Sequence, residues 1–198
     1  MSLQTSMTDA KGNVTSYEYD KNGNRTKVTY PDGSYVKTQY DERGRTIWQQ
    51  DTAGRETEYI YDSSDRLTQV KQNHGAVTSY TYDQTGNLIS ITDANKNTTT
   101  YVYDENGRRV KVILADGAES TSQYDFYGKL ISTTDCNGVT TTYSYDEEDR
   151  LVKETTGAKA TETETTTYTY DSFGRLTYVA TKDSHILDCG GKVTHPCY

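Results

Sequence analysis

A Tyr-Asp pair recurs along the chain at a fixed spacing, and this spacing constrains the fold more than any other feature. Successive pairs are 21 residues apart six times and 25 residues apart once. The eight pairs are Tyr19-Asp20, Tyr40-Asp41, Tyr61-Asp62, Tyr82-Asp83, Tyr103-Asp104, Tyr124-Asp125, Tyr145-Asp146 and Tyr170-Asp171. Fixed periodicity of this length predicts a repeat architecture, in which each unit buries surface against its neighbours.

Each repeat carries two turn signals separated by β-strand patterns. A glycine follows most Tyr-Asp pairs, Asp65 and Asp149 replace it in two repeats, and a second glycine series has the same spacing. These residue types tolerate a positive φ. The runs between turns are rich in Thr, Tyr and Val and alternate with period two, which places the tyrosines on one face. The sequence therefore predicts an all-β fold of tandem 21-residue β-hairpins, about 16 strands in a curved or spiralling antiparallel β-strip.

The spacing also predicts where the repeats begin and end. We place eight repeats at residues 8–181 and a non-repeat tail at 182–198. The longer last interval indicates a four-residue insertion within 156–165, at a hairpin tip. The second turn alternates between sequences such as "DTAG" and "PDGS". This alternation favours a true period of 42 residues with two turn geometries.

The tail differs from the repeats in its cysteine and histidine content. It holds His185, Cys189, His195 and Cys197, which are residue types that Zn²⁺ accepts. Their spacing is not that of a standard zinc site, and we predict no cofactor or metal. A disulfide between Cys189 and Cys197 fits an extracellular protein, and unpaired thiols are the alternative.

Composition limits the classes of partner and function. The formal net charge of −8 argues against nucleic acid, since binding phosphates needs basic patches. No apolar run reaches the ~18 residues of a membrane span, and the first 12 residues lack the apolar segment of a signal peptide. N-x-S/T sequons begin at Asn13, Asn24 and Asn97, which are glycosylation candidates in a glycosylating host.

The repeat units resemble the YD repeats, also called RHS repeats. The segments "YEYDKNGNRTKVTYPDGS", "YDSSDRLTQV" and "YTYDSFGRLTYV" carry the resemblance, which extends over residues 8–180. Such repeats occur in bacterial Rhs proteins, wall-associated WapA-type proteins, the B/C subunits of insecticidal toxin complexes and animal teneurins. The resemblance implies a hairpin strip that spirals into a hollow shell, which in bacterial members encloses a C-terminal toxin. It also implies an extracellular or cell-surface location, and carbohydrate binding has been suggested for such repeats.

Eight repeats are fewer than the shells of this family use. We therefore expect a shell fragment or a short stand-alone relative, whose partners are flanking YD repeats of a longer chain or copies of itself. The expected function is structural and non-enzymatic. Two alternatives stay open: a self-assembling extracellular filament or tube joined through edge strands, and a carbohydrate-binding surface module.

The Tyr-Asp pair itself admits two interpretations. In the first, Tyr packs between hairpins and Asp accepts hydrogen bonds from backbone N–H groups of the turn. In the second, exposed tyrosines stack on sugars and Asp accepts hydrogen bonds from sugar hydroxyls. Recurrence of the pair in every repeat favours the structural interpretation.

Overall fold

Antiparallel β-strands make up most of the chain. The computed structural model describes residues 3–159 and 162–183. Its strands are β1 (Ser6–Thr8), β2 (Val14–Tyr19), β3 (Arg25–Thr29), β4 (Tyr35–Tyr40), β5 (Thr46–Asp51), β6 (Glu56–Tyr61), β7 (Leu67–Gln72), β8 (Val77–Tyr82), β9 (Leu88–Thr92), β10 (Thr98–Tyr103), β11 (Arg109–Ile113), β12 (Glu119–Tyr124), β13 (Leu130–Thr134), β14 (Thr140–Tyr145), β15 (Leu151–Lys159), β16 (Glu162–Tyr170) and β17 (Leu176–Asp183). A short 3-10 turn, Asn73–Gly75, is the one helical element in these ranges. None of the described residues therefore belongs to a helix long and apolar enough to cross a membrane.

The chain divides into two compact units, Met1–Thr98 and Thr99–Tyr198. In the first, each strand from β1 to β9 pairs antiparallel with the next strand along the sequence. In the second, the strands from β10 to β17 do the same. The predicted all-β class of tandem antiparallel hairpins is therefore confirmed. The predicted division at residues 181 and 182 stays a prediction.

The strand register sorts the side chains onto two faces. Tyr59 lies opposite Val70, and its neighbour Glu58 lies opposite Lys71. Because successive side chains of a strand point to opposite sides, Tyr59 shares a face with Thr57 and Tyr61. We call the side that carries the tyrosines of the Tyr-Asp pairs the tyrosine face, and the side that carries Glu58 and its counterparts the opposite face.

Both classes of turn use one backbone hydrogen-bond frame. In "DTAG" the Asp51 N–H donates to the Arg55 carbonyl and the Gly54 N–H donates to the Asp51 carbonyl. Tyr30, which opens "YPDG", makes the equivalent pair of bonds with Ser34 and Gly33. The expectation of two alternating turn geometries is therefore wrong at the level of backbone bonding. The turns differ in the side chain at their first position, Asp in one class and Tyr30, Gln72 or Leu114 in the other.

The longest strands, β15 and β16, lie within the widest Tyr-Asp interval, between Tyr145 and Tyr170. β15 and β16 are nine residues each, whereas β13 and β14 have five and six. Their pairing continues from Lys153 opposite Thr167 as far as Lys159 opposite Glu162. The extra residues of this interval therefore lengthen a hairpin.

The described residues form no buried hydrophobic core. Thr38, at 8% exposure, is the one residue among them that is classed as buried. Most Leu, Val, Ile and Tyr side chains of the strands are instead half-buried, while others, such as Val14, Leu176 and Tyr178, are exposed. Because little apolar surface is fully removed from water, the contacts between neighbouring hairpins must contribute much of the stability.

Candidate functional site: the Tyr-Asp turns

The aspartate of each Tyr-Asp pair organises the turn that follows it. The Asp62 Oδ1 accepts hydrogen bonds from the N–H groups of Ser64 (2.9 Å) and Arg66 (3.0 Å). The main chain adds a bond from the Asp65 N–H to the Asp62 carbonyl at 3.1 Å. A short carboxylate satisfies turn donors in this way, as in other Asx turns. The same two Oδ1 bonds form at Asp20, Asp41, Asp83, Asp104, Asp146 and Asp171.

The second carboxylate oxygen binds the side chain four residues later. The Arg66 Nε donates to the Asp62 Oδ2 at 2.8 Å, and in another repeat the Asn24 Nδ2 donates to the Asp20 Oδ2 at 2.9 Å. Our sequence prediction gave this fifth residue no role. The signal was present, because an Arg, Asn or Lys follows every Tyr-Asp aspartate by four positions: Asn24, Arg45, Arg66, Asn87, Arg108, Lys129, Arg150 and Arg175.

The tyrosine of the pair binds the preceding hairpin. The Tyr82 hydroxyl donates to the Leu67 carbonyl oxygen at 2.8 Å, and the Tyr145 hydroxyl donates to the Leu130 carbonyl at 2.8 Å. Leu67 and Leu130 each begin the return strand of the previous repeat. Corresponding bonds join Tyr19 to Gln4, Tyr40 to Arg25, Tyr61 to Thr46, Tyr124 to Arg109 and Tyr170 to Leu151.

The fifth residue of the turn also contacts the tyrosine of the next repeat. The Arg66 guanidinium carbon lies 4.9 Å from the centre of the Tyr82 ring, and the Arg66 Nη1 donates to the Asp83 carbonyl at 3.0 Å. Such cation–π contacts are favourable over a tyrosine face. Equivalent ring contacts occur between Arg45 and Tyr61, Arg108 and Tyr124, Lys129 and Tyr145, and Arg150 and Tyr170. In the repeats with Arg45, Arg66, Arg108, Lys129 or Arg150, the turn and the tyrosine therefore link a hairpin to its neighbours on both sides.

The electrostatics keep these groups in the protonation states that the contacts need. The Asn87 amide, together with the Thr85 hydroxyl, lowers the pKa of Asp83 to about 2. The Arg45 side chain lowers the pKa of Asp41 by hydrogen bonding. Partial burial raises the pKa of Tyr82 above its usual value. At neutral pH each of these aspartates is therefore a charged acceptor, and Tyr82 keeps the proton that it donates.

The sequon asparagines lie in turns that begin with an aspartate. Asn24 belongs to a Tyr-Asp turn, and Asn13 and Asn97 belong to the second turn of their repeats. The Nδ2 atoms of Asn13, Asn24 and Asn97 donate to the Oδ2 atoms of the aspartates four residues earlier, at 2.8, 2.9 and 2.9 Å. Nδ2 is the atom that N-glycosylation modifies, and glycosylation at these positions stays a prediction.

The other predicted site residues fall in the tail. His185, Cys189, His195 and Cys197 lie outside the described residues, so the disulfide stays a prediction. In the part of the chain that the structure describes, no three His, Cys, Asp or Glu side chains are grouped as a metal site requires.

Comparisons with known proteins identify the repeat. The family described as RHS Repeat matches residues 3–35, 40–77, 61–97, 82–119 and 124–162. No relative of the chain was found among curated protein sequences.

Solved structures share the fold at low sequence identity. The crystal structure of TcdB2-TccC3-Cdc42 is similar at a TM-score of 0.72 and 18% identity, over 86% of this chain and 11% of that chain. The crystal structure of TcdB2-TccC3 gives the same TM-score and identity, over 86% and 12%. The Photorhabdus luminescens Tc holotoxin pore gives a TM-score of 0.70 at 18% identity, over 86% and 11%.

This chain thus spans only a small share of the length of those proteins, and the likeness concerns the fold. The matched residues include most of the Tyr-Asp turns described above, and their spacing and bonding recur from one hairpin to the next. The chain belongs to the RHS repeat family.

Proposed function

We propose that the chain is a structural, non-enzymatic wall segment of a β-shell, in a secreted or surface-exposed bacterial protein that resembles toxin-encasing Rhs-type shells. One observation carries the proposal. The groups that could serve in catalysis or sugar binding, the Tyr-Asp carboxylates and hydroxyls, bind other parts of the same repeat array. The Asp62 carboxylate and the Tyr82 hydroxyl are examples, with bonds of 2.8 to 3.0 Å.

The arrangement suits a wall because, within each unit, every strand pairs with the next one along the sequence, and the described residues form no buried apolar core. Within each unit, tyrosine hydroxyls bind the preceding hairpin, and where the fifth turn residue is Arg or Lys its side chain contacts the tyrosine of the following hairpin, as Arg45 and Arg66 do. Such nearest-neighbour contacts let a sheet extend by whole repeats without redesign of the repeat itself. The fold shared with TcdB2-TccC3 supports this role.

The strands β1 and β17 favour a second candidate function. Among the described residues, β1 pairs with β2 and β17 with β16, each along one side. A strand with an unpaired side offers N–H and C=O groups for further pairing. A chain built of interchangeable hairpins could continue this pairing with another copy, which would give an extracellular filament or tube.

Particle size and shape separate the two functions. We would purify the 198-residue chain and combine light scattering with negative-stain electron microscopy over a range of concentrations. We expect monomers or small irregular particles if the chain is a wall segment. Regular filaments or tubes would contradict the wall proposal and support the assembly of copies.

A further inference from the structure

Three highly exposed aromatic side chains lie on the Tyr-Asp turns of the second unit. Phe126, Tyr127 and Phe173 are 94%, 85% and 82% exposed. They occupy the first or second position after the aspartate in the sixth and eighth Tyr-Asp turns, and every other residue at these two positions of the eight turns is polar. The turn therefore does not need an aromatic there. Exposed aromatics rimmed by polar residues are typical of an interaction surface.

Carboxylates lie on the turns that alternate with these aromatics. Glu105 and Glu147 occupy the first position of the turns before and after that of Phe126, 21 residues away on each side. Phe173 lies on the turn after that of Glu147. The four Tyr-Asp turns of the second unit therefore present, in order along one edge of the sheet, a carboxylate, an aromatic pair, a carboxylate and an aromatic. We call the row of Glu105, Phe126, Tyr127, Glu147 and Phe173 the mixed edge.

The uncompensated charge of the mixed edge is negative. Neither Glu105 nor Glu147 has a cation of the described residues within ion-pair distance, whereas Glu148 pairs with Arg150 at 3.0 Å. A solvated carboxylate needs no partner, so the aromatics indicate that a ligand binds here and the carboxylates indicate which charge it carries. The basic residues of the same four turns each bind a turn aspartate: Arg108 binds Asp104, Lys129 binds Asp149, Arg150 binds Asp146 and Arg175 binds Asp171.

The spacing of the turns matches one backbone conformation of a polypeptide partner. Neighbouring Tyr-Asp turns of this unit are two strands apart, which corresponds to about 9.6 Å across the sheet. A polyproline II helix has three residues per turn and a rise of about 3.1 Å per residue, so side chains three residues apart share one side at a spacing of about 9.3 Å. In a β-strand, residues three apart point to opposite sides. Proline-rich segments also dock on exposed aromatic side chains in other proteins.

We propose that the mixed edge binds a basic, proline-rich polypeptide segment in the polyproline II conformation. Two lysine or arginine side chains, six residues apart, pair with Glu105 and Glu147. The apolar residue midway between them packs on Phe126 and Tyr127, whose rings meet at 86° with their centres 5.5 Å apart. A second apolar residue, three positions farther along, reaches Phe173. The segment loses little conformational entropy, because the polyproline II helix is formed before binding.

The carboxylates disfavour two other partners of the same edge. Contact with the same edge of a second copy would bring Glu105 and Glu147 close to like charges, which costs binding free energy. Insertion of Phe126 and Tyr127 into a bilayer would carry the neighbouring Glu147 toward the apolar region, where a carboxylate is costly. The mixed edge arises from exceptions to the repeat, so this inference is independent of the wall function.

Two peptides of identical composition test the proposal. We would titrate a labelled 14-residue polyproline peptide, with lysine at positions 3 and 9 and leucine at positions 6 and 12, with the full chain and follow fluorescence anisotropy. The matched peptide carries its lysines at positions 4 and 8, which keeps the charge and turns the lysines to other sides of the helix. We expect saturable binding of the first peptide and binding at least about tenfold weaker for the second. Equal binding of the two peptides, or no saturable binding of the first, would overturn the proposal.

Substitutions borrowed from other turns of the chain locate the site. Phe126→Gln combined with Tyr127→Thr introduces the residue types of the fourth Tyr-Asp turn and should weaken peptide binding about tenfold with an unchanged circular dichroism spectrum. Glu147→Gln should weaken it about threefold, as expected for an exposed ion pair. Glu42→Gln removes the same charge from the same position of a turn in the first unit and should leave binding unchanged.

Two outcomes would contradict the assignment. Equal effects of Glu147→Gln and Glu42→Gln would show that the peptide responds only to the net charge of the chain. Saturable binding of the chain to phosphatidylcholine vesicles that is lost in the Phe126 and Tyr127 double variant would assign the mixed edge to a membrane surface instead.

Discussion

At the scale of single residues, the turn aspartate explains why each repeat needs a short carboxylate. Asp62 accepts three hydrogen bonds, two on Oδ1 from backbone N–H groups and one on Oδ2 from Arg66. Asparagine would replace one of these acceptors by a donor, and glutamate would move the oxygens one methylene farther from the turn. The Asp62 carboxylate therefore holds the Arg66 side chain in the orientation in which its guanidinium contacts the next repeat.

Arg66→Ala tests the link between repeats. It removes the bond to the Asp83 carbonyl and the contact with the Tyr82 ring, so we expect a loss of about 1–2 kcal/mol in the free energy of unfolding. Urea titration followed by circular dichroism measures it. Arg55→Ala is the control, because Arg55 makes the same turn bond to Asp51 with a side chain that is 76% exposed. Equal losses in the two variants would show that the inter-repeat contacts contribute nothing.

Tyr82→Phe tests the tyrosine hydroxyl in the same assay. The substitution leaves the Leu67 carbonyl without this donor, and we expect a loss of about 1 kcal/mol. Tyr80→Phe, on the same strand and face, should change the free energy of unfolding much less. The Tyr80 hydroxyl has no hydrogen bond to another described residue in this structure. If both substitutions were neutral, the proposed ladder of hydroxyl bonds would not stabilise the fold.

Sequence reasoning reached some of these residues and missed others for a physical reason. The tyrosines and aspartates could be predicted because both recur without exception. The fifth turn residue alternates between Arg66 and residues such as Asn87 and Lys129, which differ in length and charge. What they share is a side-chain donor that binds a turn aspartate: the Asn87 amide binds Asp83 of its own turn, and the Lys129 ammonium binds Asp149 of the next Tyr-Asp turn. These partners become visible only when the turns are folded.

At the scale of the elements, the turns determine the hairpins. The positive-φ position is a glycine in most turns, and Asp65, Lys96 and Asp149 adopt φ values of 65°, 70° and 67° in the others. The predicted tolerance of Asp65 and Asp149 for this conformation is confirmed. The common backbone frame could not be predicted from the quoted segments. "DTAG" begins at the first residue of the frame, Asp51, whereas "PDGS" begins one residue after it, because the frame there starts at Tyr30. The side chain at the first position also differs, an aspartate in one turn and a tyrosine in the other.

Lys96→Gly tests the cost of the left-handed conformation. Lysine lacks the conformational freedom of glycine at φ 70°, so we expect a gain of about 0.5–1 kcal/mol in the free energy of unfolding. Gly54→Ala is the reciprocal variant and should destabilise by a similar amount. An added Cβ at Gly54 meets no atom within 4 Å, so the change isolates the backbone term. Thermal denaturation would contradict the prediction if both variants moved the midpoint in the same direction.

At the scale of the molecule, stability is distributed over many half-exposed contacts. In the absence of a buried apolar core among the described residues, the repeated aspartates carry a large share of the specific bonding. Their pKa values are lowered in at least nine of the turns, for example at Asp20, Asp62 and Asp104. Protonation of these aspartates at low pH therefore weakens turns in both units over the same pH range.

The lowered pKa values predict acid lability of a definite sign. A carboxylate whose pKa is depressed by folding stabilises the protein above its unfolded pKa, and this contribution is lost as the pH falls toward the folded pKa. We expect the free energy of unfolding to be constant from pH 7 to about 5 and to fall between pH 4 and 2. Asn87→Ala should raise the pKa of Asp83 from about 2 toward 3.8, as measured by carboxyl ¹³C NMR. An unchanged Asp83 titration would contradict the assigned cause.

The uniform bonding between hairpins also bears on how such a gene can change. The repeats present a tyrosine hydroxyl donor, a turn aspartate and a main-chain carbonyl acceptor at intervals of 21 residues, and once of 25 residues. Recombination in phase between repeats would therefore join two compatible surfaces wherever it occurs. Lineages can lengthen or shorten this protein by whole hairpins, while a single-codon slip in a strand would reverse its faces and be eliminated.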